Sequence, residues 1–294
     1  MTVASGAALT LIKPAVLCVQ THARCEVLVA GYASPDGRWY VAPWGWPDGN
    51  ERLTDAHRKD IHNSNVPVLC QACEARHRGV CGALSTDQLI ALNKQSTRKR
   101  VDPGVELIGE SHEAGSYSNI ISGVVKLTKM MADGRQQIVG LQFAPDFLGR
   151  PFRPDGGITA DAATDVNVCS FPKSMLDRMI KDTPELKHKL LEQTLKELDE
   201  ARDWMLTLGR KTASEKVASF LYLIATHINP ELDADSVSFE LPLTRSDIAD
   251  FLGLTIETVS RQMTRLRKEG IIVIRNNRHV DVPDLVRLAE QASQ

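Results

Sequence analysis

Leu243-Thr-Arg-Ser-Asp-Ile-Ala-Asp-Phe-Leu-Gly-Leu-Thr-Ile-Glu-Thr-Val-Ser-Arg-Gln-Met-Thr-Arg-Leu-Arg-Lys-Glu-Gly270 has the pattern of two short helices joined by a tight turn. Thr244 is placed to cap the first helix, and Thr255 is placed to cap the second. Gly253 suits the turn between them, and Gly270 ends the second helix. This order of signals predicts a helix-turn-helix.

The second of these helices separates an apolar side from a polar one. Ile256, Val259, Met263 and Leu266 recur at helical spacing, so we expect them to form a buried stripe. The polar side is available for double-stranded DNA, because arginine bonds guanine bidentately and glutamate accepts from cytosine. The contacts predicted on this helix are those of Glu257, Thr258, Ser260, Arg261 and Arg265. Alternatively, Glu257 and Arg261 form an ordinary surface pair, which contributes only ~0.2–0.5 kcal/mol.

Two short runs, Ile271 to Ile274 and His279 to Val282, follow and flank Arg275-Asn-Asn-Arg278. They predict a two-stranded wing whose turn places Arg275 and Arg278 on phosphates. Residues 244–278 hold seven Lys or Arg against four Asp or Glu, which leaves +3, whereas the whole chain carries −2. The positive charge is therefore concentrated where nucleic acid would bind.

A long helix is predicted over residues 184–208, ahead of the helix-turn-helix. Its apolar residues recur at steps of three or four, as in a coiled-coil seam, while its other face is charged. We expect this seam to form a homodimer; the alternative is that it packs on its own chain. The seam consists of Leu191, Leu195, Leu198, Ala201, Met205 and Leu208.

Short runs rich in β-branched and apolar residues precede the long helix and predict an antiparallel barrel or roll over about 97–171. Ala132-Asp-Gly134 marks a hairpin within it, and Pro172 ends it. A short helix capped by Ser85 comes before it. The fold class is therefore α+β. The predicted strands are Val105–Ile108, Ser118–Thr128, Gln136–Phe143 and a segment from Ile158 to Phe171.

Three cysteines, in Cys70-x2-Cys73-x7-Cys81, form a loop that can direct its sulfurs at one point. Iron–sulfur clusters and closed zinc sites usually take four protein ligands, and Cys169 is the one downstream candidate. In a zinc site, His77 or His62 could replace one thiol. Cys169 could alternatively be an ordinary buried residue of a strand.

Composition narrows the class of protein. The 294 residues are enough for two domains, and 43% hydrophobic with 24% charged residues is a globular balance. Six unevenly spaced cysteines indicate a reducing, cytoplasmic compartment rather than a secreted disulfide framework. No apolar run approaches the ~20 residues that span a bilayer. We find no pattern of acid, base or nucleophile residues that would predict an enzyme.

Residues 1–60 carry no clear periodicity. Tryptophan, proline and glycine crowd residues 37–50, so we expect irregular structure there, and Val27–Ala30 is enough for one strand at most. Cys18 and Cys25 lack a familiar metal-binding spacing and are interpreted as incidental thiols.

The order of roll, long helix and winged helix-turn-helix resembles the CRP/FNR superfamily of bacterial transcription regulators. Thr255-Ile-Glu-Thr-Val-Ser-Arg261 is similar to the recognition-helix core of the FNR branch. The cysteine spacing with distant Cys169 resembles the oxygen-responsive FnrN type. The match covers about 60–294. It implies a roll of the cyclic-nucleotide-binding kind.

The resemblance implies a [4Fe–4S] cluster on Cys70, Cys73, Cys81 and Cys169. It also implies a dimer that binds inverted repeats with TTGAT-like half-sites, read by Glu257, Ser260 and Arg261, with RNA polymerase as partner. A cyclic nucleotide is not expected, because Gly149 is followed by Arg150 rather than glutamate. The expected domains are an extension (1–60), a cluster loop and β-roll sensor (61–171), a dimerisation helix (172–210) and a DNA-binding domain (211–294).

Three other classes remain open from the residues. The cysteines could hold structural zinc, or act as a thiol–disulfide switch without metal, in a transcription regulator. An iron–sulfur electron-transfer protein is the third, and the helix-turn-helix speaks against it.

Overall fold

The structure, a computed structural model, describes residues 66–109, 115–151, 157–228 and 236–293, together with five short strands between residues 9 and 41. The chain divides into two compact units, residues 1–54 and 55–294. Within the described residues, no helix is long and apolar enough to cross a membrane.

The first unit contains more strand than its sequence predicts. Three strands pair antiparallel in the order β1-β2-β3, and two more form a β4-β5 hairpin. The expectation of irregular structure is therefore wrong for the described residues between 9 and 41, because backbone pairing between neighbours overrides the weak periodicity. Residues 28–30 of the predicted strand and residues 42–50 of the predicted irregular stretch lie outside the described residues. These strands are Leu9–Lys13, Val16–Thr21, Arg24–Val27, Gly31–Ala33 and Trp39–Val41.

The second unit contains the predicted antiparallel roll. Its two four-stranded sheets have the orders β10-β9-β12-β7 and β11-β8-β13-β6. The predicted strand Ser118–Thr128 is two strands that meet at Gly123, and the segment from Ile158 to Phe171 likewise divides in two. The strands are β6 Thr97–Val101, β7 Glu106–Ile108, β8 Ser116–Ser122, β9 Val124–Met130, β10 Gln136–Phe143, β11 Phe147–Leu148, β12 Thr159–Ala162 and β13 Val166–Pro172.

Helices precede and follow the roll in the sequence. Ser85 caps the last helix before it through a reciprocal box with Gln88, as its sequence predicts. Pro184 is the first residue of the 27-residue helix, which is roughly 40 Å long. These elements are α1 Val68–Gln71, α2 Glu74–His77, a 3-10 turn Val80–Ala83, α3 Thr86–Gln95, α4 Lys173–Asp182 and α5 Pro184–Arg210.

The C-terminal region has the predicted winged helix-turn-helix. Gly253 adopts φ 61°, a left-handed conformation that glycine tolerates without strain, and this lets the turn close. The wing sheet has the order β14-β16-β15. The elements are α6 Ala213–Ile228, β14 Val237–Glu240, α7 Arg245–Leu252, α8 Ile256–Lys268, β15 Val273–Arg275, β16 His279–Val282 and α9 Leu285–Ser293.

Apolar cores connect these parts of the second unit. Val124, Ile138 and Phe143 of the roll share one core with the helices of the C-terminal region. A second core contains Val80 of the cysteine loop together with Leu186 near the start of α5. The roll is therefore packed against the helix-turn-helix on one side and against the cysteine loop on another.

Candidate DNA interface and cysteine site

Helix α8 is held by its apolar stripe. Val259, Met263 and Leu266 are fully buried, and the hydroxyl of Thr255 accepts from the amide of Thr258 at 3.2 Å to cap the helix. Ile256 was also expected in the stripe, but it is 46% exposed. It is the first residue of the helix, where the chain has not yet turned onto the core.

The opposite face of α8 presents the polar residues predicted to contact DNA. Glu257, Ser260, Arg261 and Arg265 are exposed, and Thr258 is half-buried. The guanidinium of Arg261 donates to the Thr258 hydroxyl at 3.0 Å, and that of Arg265 donates to a Glu269 carboxylate oxygen at 2.8 Å.

Glu257 stays ionised on this face. A hydrogen bond from its own backbone, the Thr255 hydroxyl and the charge of Arg261 lower the pKa of its carboxyl below the usual value. An ionised carboxylate only accepts hydrogen bonds, as pairing with a cytosine amino group requires.

The wing turn places two arginines beside the same surface. Asn276 and Asn277 both have positive φ, 50° and 60°, and asparagine tolerates this conformation well. Arg275 pairs with Asp281 at 3.0 Å, and Arg278 donates to the backbone oxygen of Leu241 at 3.4 Å. Both arginines are exposed, so phosphates can reach them.

Arg245, the first residue of α7, was not among the predicted contacts. It lines a cavity of about 430 Å³ together with Thr244, Ser260, Asn277 and Arg278. Its Nη1 is buried, and no hydrogen bond to it is found within the described residues. The sequence contains this charge, but only the approach of the wing to the helices places it in the groove.

The cysteine loop consists of short helical turns and passes close to neighbouring backbone at two glycines. Cys70 lies in α1, Cys73 directly precedes α2, and Cys81 lies in the 3-10 turn. A Cβ on Gly79 would come within 2.9 Å of the backbone oxygen of Pro145, and one on Gly82 within 2.7 Å of that of Arg76. These approaches explain why glycine flanks the third cysteine.

Cys169 lies on β13, and both of its cross-strand neighbours reach the cysteine loop. Asn119 is its partner on β8 and donates to the Cys81 sulfur at 3.1 Å. Arg98 is its partner on β6 and donates to the backbone oxygen of Leu69, next to Cys70. Directly opposed residues have Cβ atoms about 4.5–5.5 Å apart, so the loop lies over the strand position of Cys169.

The four thiols influence each other electrostatically. Burial first, and then the charges of the other cysteines, raise the pKa of Cys70 and raise that of Cys81 to about 12. Burial, opposed by a hydrogen bond with Ser96, also raises the pKa of Cys169. All four cysteines are partly exposed and unpaired.

The histidines weighed as replacement ligands are placed differently. His77 Nε2 lies 2.9 Å from the backbone oxygen of Gln71, and His62 lies outside the described residues. Among the described residues, no three His, Cys, Asp or Glu side chains are grouped so as to hold a single metal ion. Asn119 Oδ1 is buried beside Cys81 without a hydrogen-bond partner in the described part. Four cysteine sulfurs, three on the loop and one on the strand beneath it, match in kind and number the donor set that iron–sulfur clusters use.

Known proteins resemble the chain over most of its length. A model of the Crp-like helix-turn-helix domain matches residues 215–291. A probable transcriptional activator of Rhizobium leguminosarum bv. viciae is 59% identical over 239 residues, covering 81% of this chain and 99% of that protein. The chain belongs to the CRP/FNR family of transcription regulators.

Other members of the CRP/FNR family extend the comparison. The transcriptional activator protein FnrL of Cereibacter sphaeroides is 41% identical, with 77% of this chain and 94% of FnrL covered. The solved structure of FixK2 from Bradyrhizobium japonicum superposes with a TM-score of 0.60 at 33% identity, covering 67% of this chain and 96% of FixK2. The α+β fold with its C-terminal helix-turn-helix is thus confirmed as that of CRP/FNR transcriptional activators, which bind DNA and act as dimers.

In this CRP/FNR chain the predicted seam on α5 is largely uncovered. Leu191, Leu195, Leu198 and Met205 are 43–73% exposed, Ala201 is exposed and Leu208 is half-buried. Trp204 instead contacts Phe251 of α7, with ring centroids 4.5 Å apart. The alternative that the seam packs on its own chain therefore does not hold for those four exposed side chains.

Proposed function

We propose that this chain is an oxygen-responsive transcription regulator. It binds a [4Fe–4S] cluster through Cys70, Cys73, Cys81 and Cys169, and under low oxygen it binds inverted-repeat DNA with TTGAT-like half-sites as a homodimer. It then controls anaerobic or microaerobic genes together with RNA polymerase. The observation that carries the cluster proposal is the pair of hydrogen bonds from Asn119 and Arg98, the two strand neighbours of Cys169, to the cysteine loop.

The dimer follows from the uncovered seam. A leucine side chain gains about 1.5–3 kcal/mol when it is buried, and α5 offers three leucines and one methionine on one stripe. A twofold dimer presents two reading helices to DNA, so its operator has matching twofold symmetry. The inverted repeat is therefore the expected form of the site.

The cluster residues tie the loop to the roll. When bound, the cluster supplies the oxygen-sensitive chemistry. The chain provides four thiols, and because three of them have raised pKa values, ligation must displace their protons.

The cysteine loop lies next to the start of the dimer helix. His77, Gly82 and Ala83 of the loop line one cavity of about 430 Å³ with Pro184 and His188 of α5. Order in the loop therefore bears directly on the first turns of α5. Because dimerisation is concentration-dependent, a small change in the seam becomes a large change in DNA occupancy.

The direct test is purification without oxygen, with analysis of iron, sulfide and zinc, followed by DNA binding before and after exposure to air. We expect iron and sulfide in equal amounts and a loss of specific DNA binding in air. Stoichiometric zinc with DNA binding that air leaves unchanged contradicts the proposal and favours the zinc-structured regulator. Iron with no sequence-specific DNA binding would favour an electron-transfer protein.

Arg261→Ala is expected to remove most discrimination between the cognate and a scrambled site. A bidentate base contact is worth about 1–3 kcal/mol, or roughly 5- to 150-fold for each half-site. Fluorescence anisotropy with both DNAs measures the ratio.

The matched control for Arg261 is Arg267→Ala. Arg267 is exposed on the same helix, but six residues further along it is rotated well away from Arg261. This variant loses the same charge and should weaken binding to both DNAs equally, so the ratio of cognate to scrambled affinity stays near the wild-type value. An Arg261→Ala protein that still prefers the cognate site as strongly as wild type would contradict the assignment.

A further inference from the structure

One ion pair connects the roll to the helix-turn-helix. Lys126 on β9 places its Nζ 2.7 Å from Oδ1 of Asp247 in the first turn of α7. The two side chains are only 21% and 17% exposed, so the pair is less screened by solvent than the surface pairs along α5.

Asp247 divides its two oxygens between two tasks. Oδ2 accepts from the backbone and the hydroxyl of Thr244, which completes the cap of α7. Oδ1 remains for Lys126. The carboxylate of Asp247 thus caps α7 and also pairs with Lys126 of the roll. Burial raises its pKa, but the bonds to Lys126 and Thr244 outweigh burial and lower the pKa overall.

Lys126 has a second carboxylate close by. Asp161 is its register partner on the neighbouring strand β12, where burial raises the pKa of the Asp161 carboxyl and the charge of Lys126 only partly offsets that rise. A lysine in a sheet commonly pairs with such a cross-strand neighbour. Here the 2.7 Å ion pair is made to Asp247, across the boundary between the roll and the helix-turn-helix.

Two glutamines of β10 add directional contacts at the same boundary. Gln136 donates to Oδ2 of Asp250 at 2.9 Å, and Gln137 donates to the backbone oxygen of Phe251 at 3.1 Å. Beneath them, apolar residues of the roll and of α7 share one core. Apolar contacts tolerate sliding, whereas an ion pair and amide hydrogen bonds are satisfied at one docking angle.

We propose that Lys126 is a positioning residue for DNA reading, which fixes α7, and through α7 the reading helix α8, against the β9–β10 hairpin. Because α8 packs on α7 in one core, the direction of α8 follows that of α7. In a dimer, two α8 helices must match two half-sites at once, so a fixed direction matters far more for a full site than for one half-site. This inference rests on the proposed dimer.

The test compares Lys126→Met with wild type on DNA carrying one half-site or the full inverted repeat. Methionine keeps the apolar stem and removes the charge. We expect the ratio of full-site to half-site affinity to fall about tenfold, since one partner of a partly buried pair is lost, with half-site affinity nearly unchanged. In Asp247→Asn protein, Lys126→Met should have little further effect on the ratio.

Asp161→Asn is the matched control, because it removes the other carboxylate beside Lys126 and leaves the pair with Asp247 intact. It should keep the wild-type ratio. If Asp161→Asn lowers the ratio as much as Lys126→Met does, Lys126 acts within the sheet and the proposal is wrong. A ratio that is unchanged or raised in Lys126→Met, or an equal loss on both DNAs, also overturns it.

Hydrogen exchange without DNA tests the same point independently of the proposed function. Amides of 124–130 and 245–252 should exchange faster in Lys126→Met than in Asp161→Asn. Equal exchange in the two variants overturns the positioning role. Should wild type show no preference for the full site, the dimer proposal fails, and the exchange result alone decides the role of Lys126.

Discussion

Cys169→Ser is expected to abolish cluster retention in protein purified without oxygen, with iron and sulfide falling from about four of each per chain to near zero. Three thiolates then remain for a cluster that takes four, and a serine hydroxyl is a hard donor that iron–sulfur clusters rarely use. Iron and sulfide analysis with the visible absorbance of the cluster measures the effect.

Cys18→Ser and Cys25→Ser are matched controls for that experiment. They make the same chemical change in the first unit, outside the predicted ligand set, and should retain iron and sulfide. Circular dichroism separates loss of the cluster from loss of the fold. If Cys169→Ser keeps its iron and sulfide and is merely less stable, Cys169 is an ordinary strand residue and the ligand assignment is wrong.

Leu195→Glu is expected to convert the dimer to a monomer at working concentrations. At a twofold seam the substitution occurs twice, so two buried leucines are lost and two like charges approach each other. Each leucine is worth about 1.5–3 kcal/mol, so the dimer dissociation constant should rise on the order of a thousandfold. Sedimentation over a concentration series gives the constant, and binding to the full DNA site should fall with it.

Lys196→Glu introduces the same side chain one residue away, about 100° around α5 from Leu195 and outside the predicted seam. Lys196 is exposed and pairs with Glu200 at 3.4 Å, an interaction that contributes little in water. This control should remain dimeric. A Leu195→Glu protein that sediments as wild type does would place the dimer interface elsewhere.

Signals between residues close together in the sequence were sufficient to predict the fold of the C-terminal region. The caps at Thr244 and Thr255 and the glycine at the turn act within a few residues, so the helix-turn-helix could be predicted almost to its ends. The same holds for Ser85 and for the start of α5 at Pro184. The apolar spacing on α5 also identified the stripe that the single chain leaves exposed.

Strand pairing was harder to predict. The five strands between residues 9 and 41 and the break at Gly123 were missed, because their hydrogen bonds join segments whose individual patterns are weak. Ile256 fitted the helical period but lies outside the core, since the period does not say where a helix leaves its neighbours.

The amino-acid sequence alone determined the helix-turn-helix, the long helix, their order after the roll and the four candidate thiols, because helix periodicity, caps and cysteine spacing are local properties. The tertiary structure decided which residues meet across distance. Arg98 and Asn119, the strand neighbours of Cys169, donate hydrogen bonds to the cysteine loop. Arg245 lines one cavity with Ser260, and Lys126 pairs with Asp247. These contacts join residues far apart in the chain, and their geometry is set by sheet register and by helix packing on the roll, which no local pattern encodes.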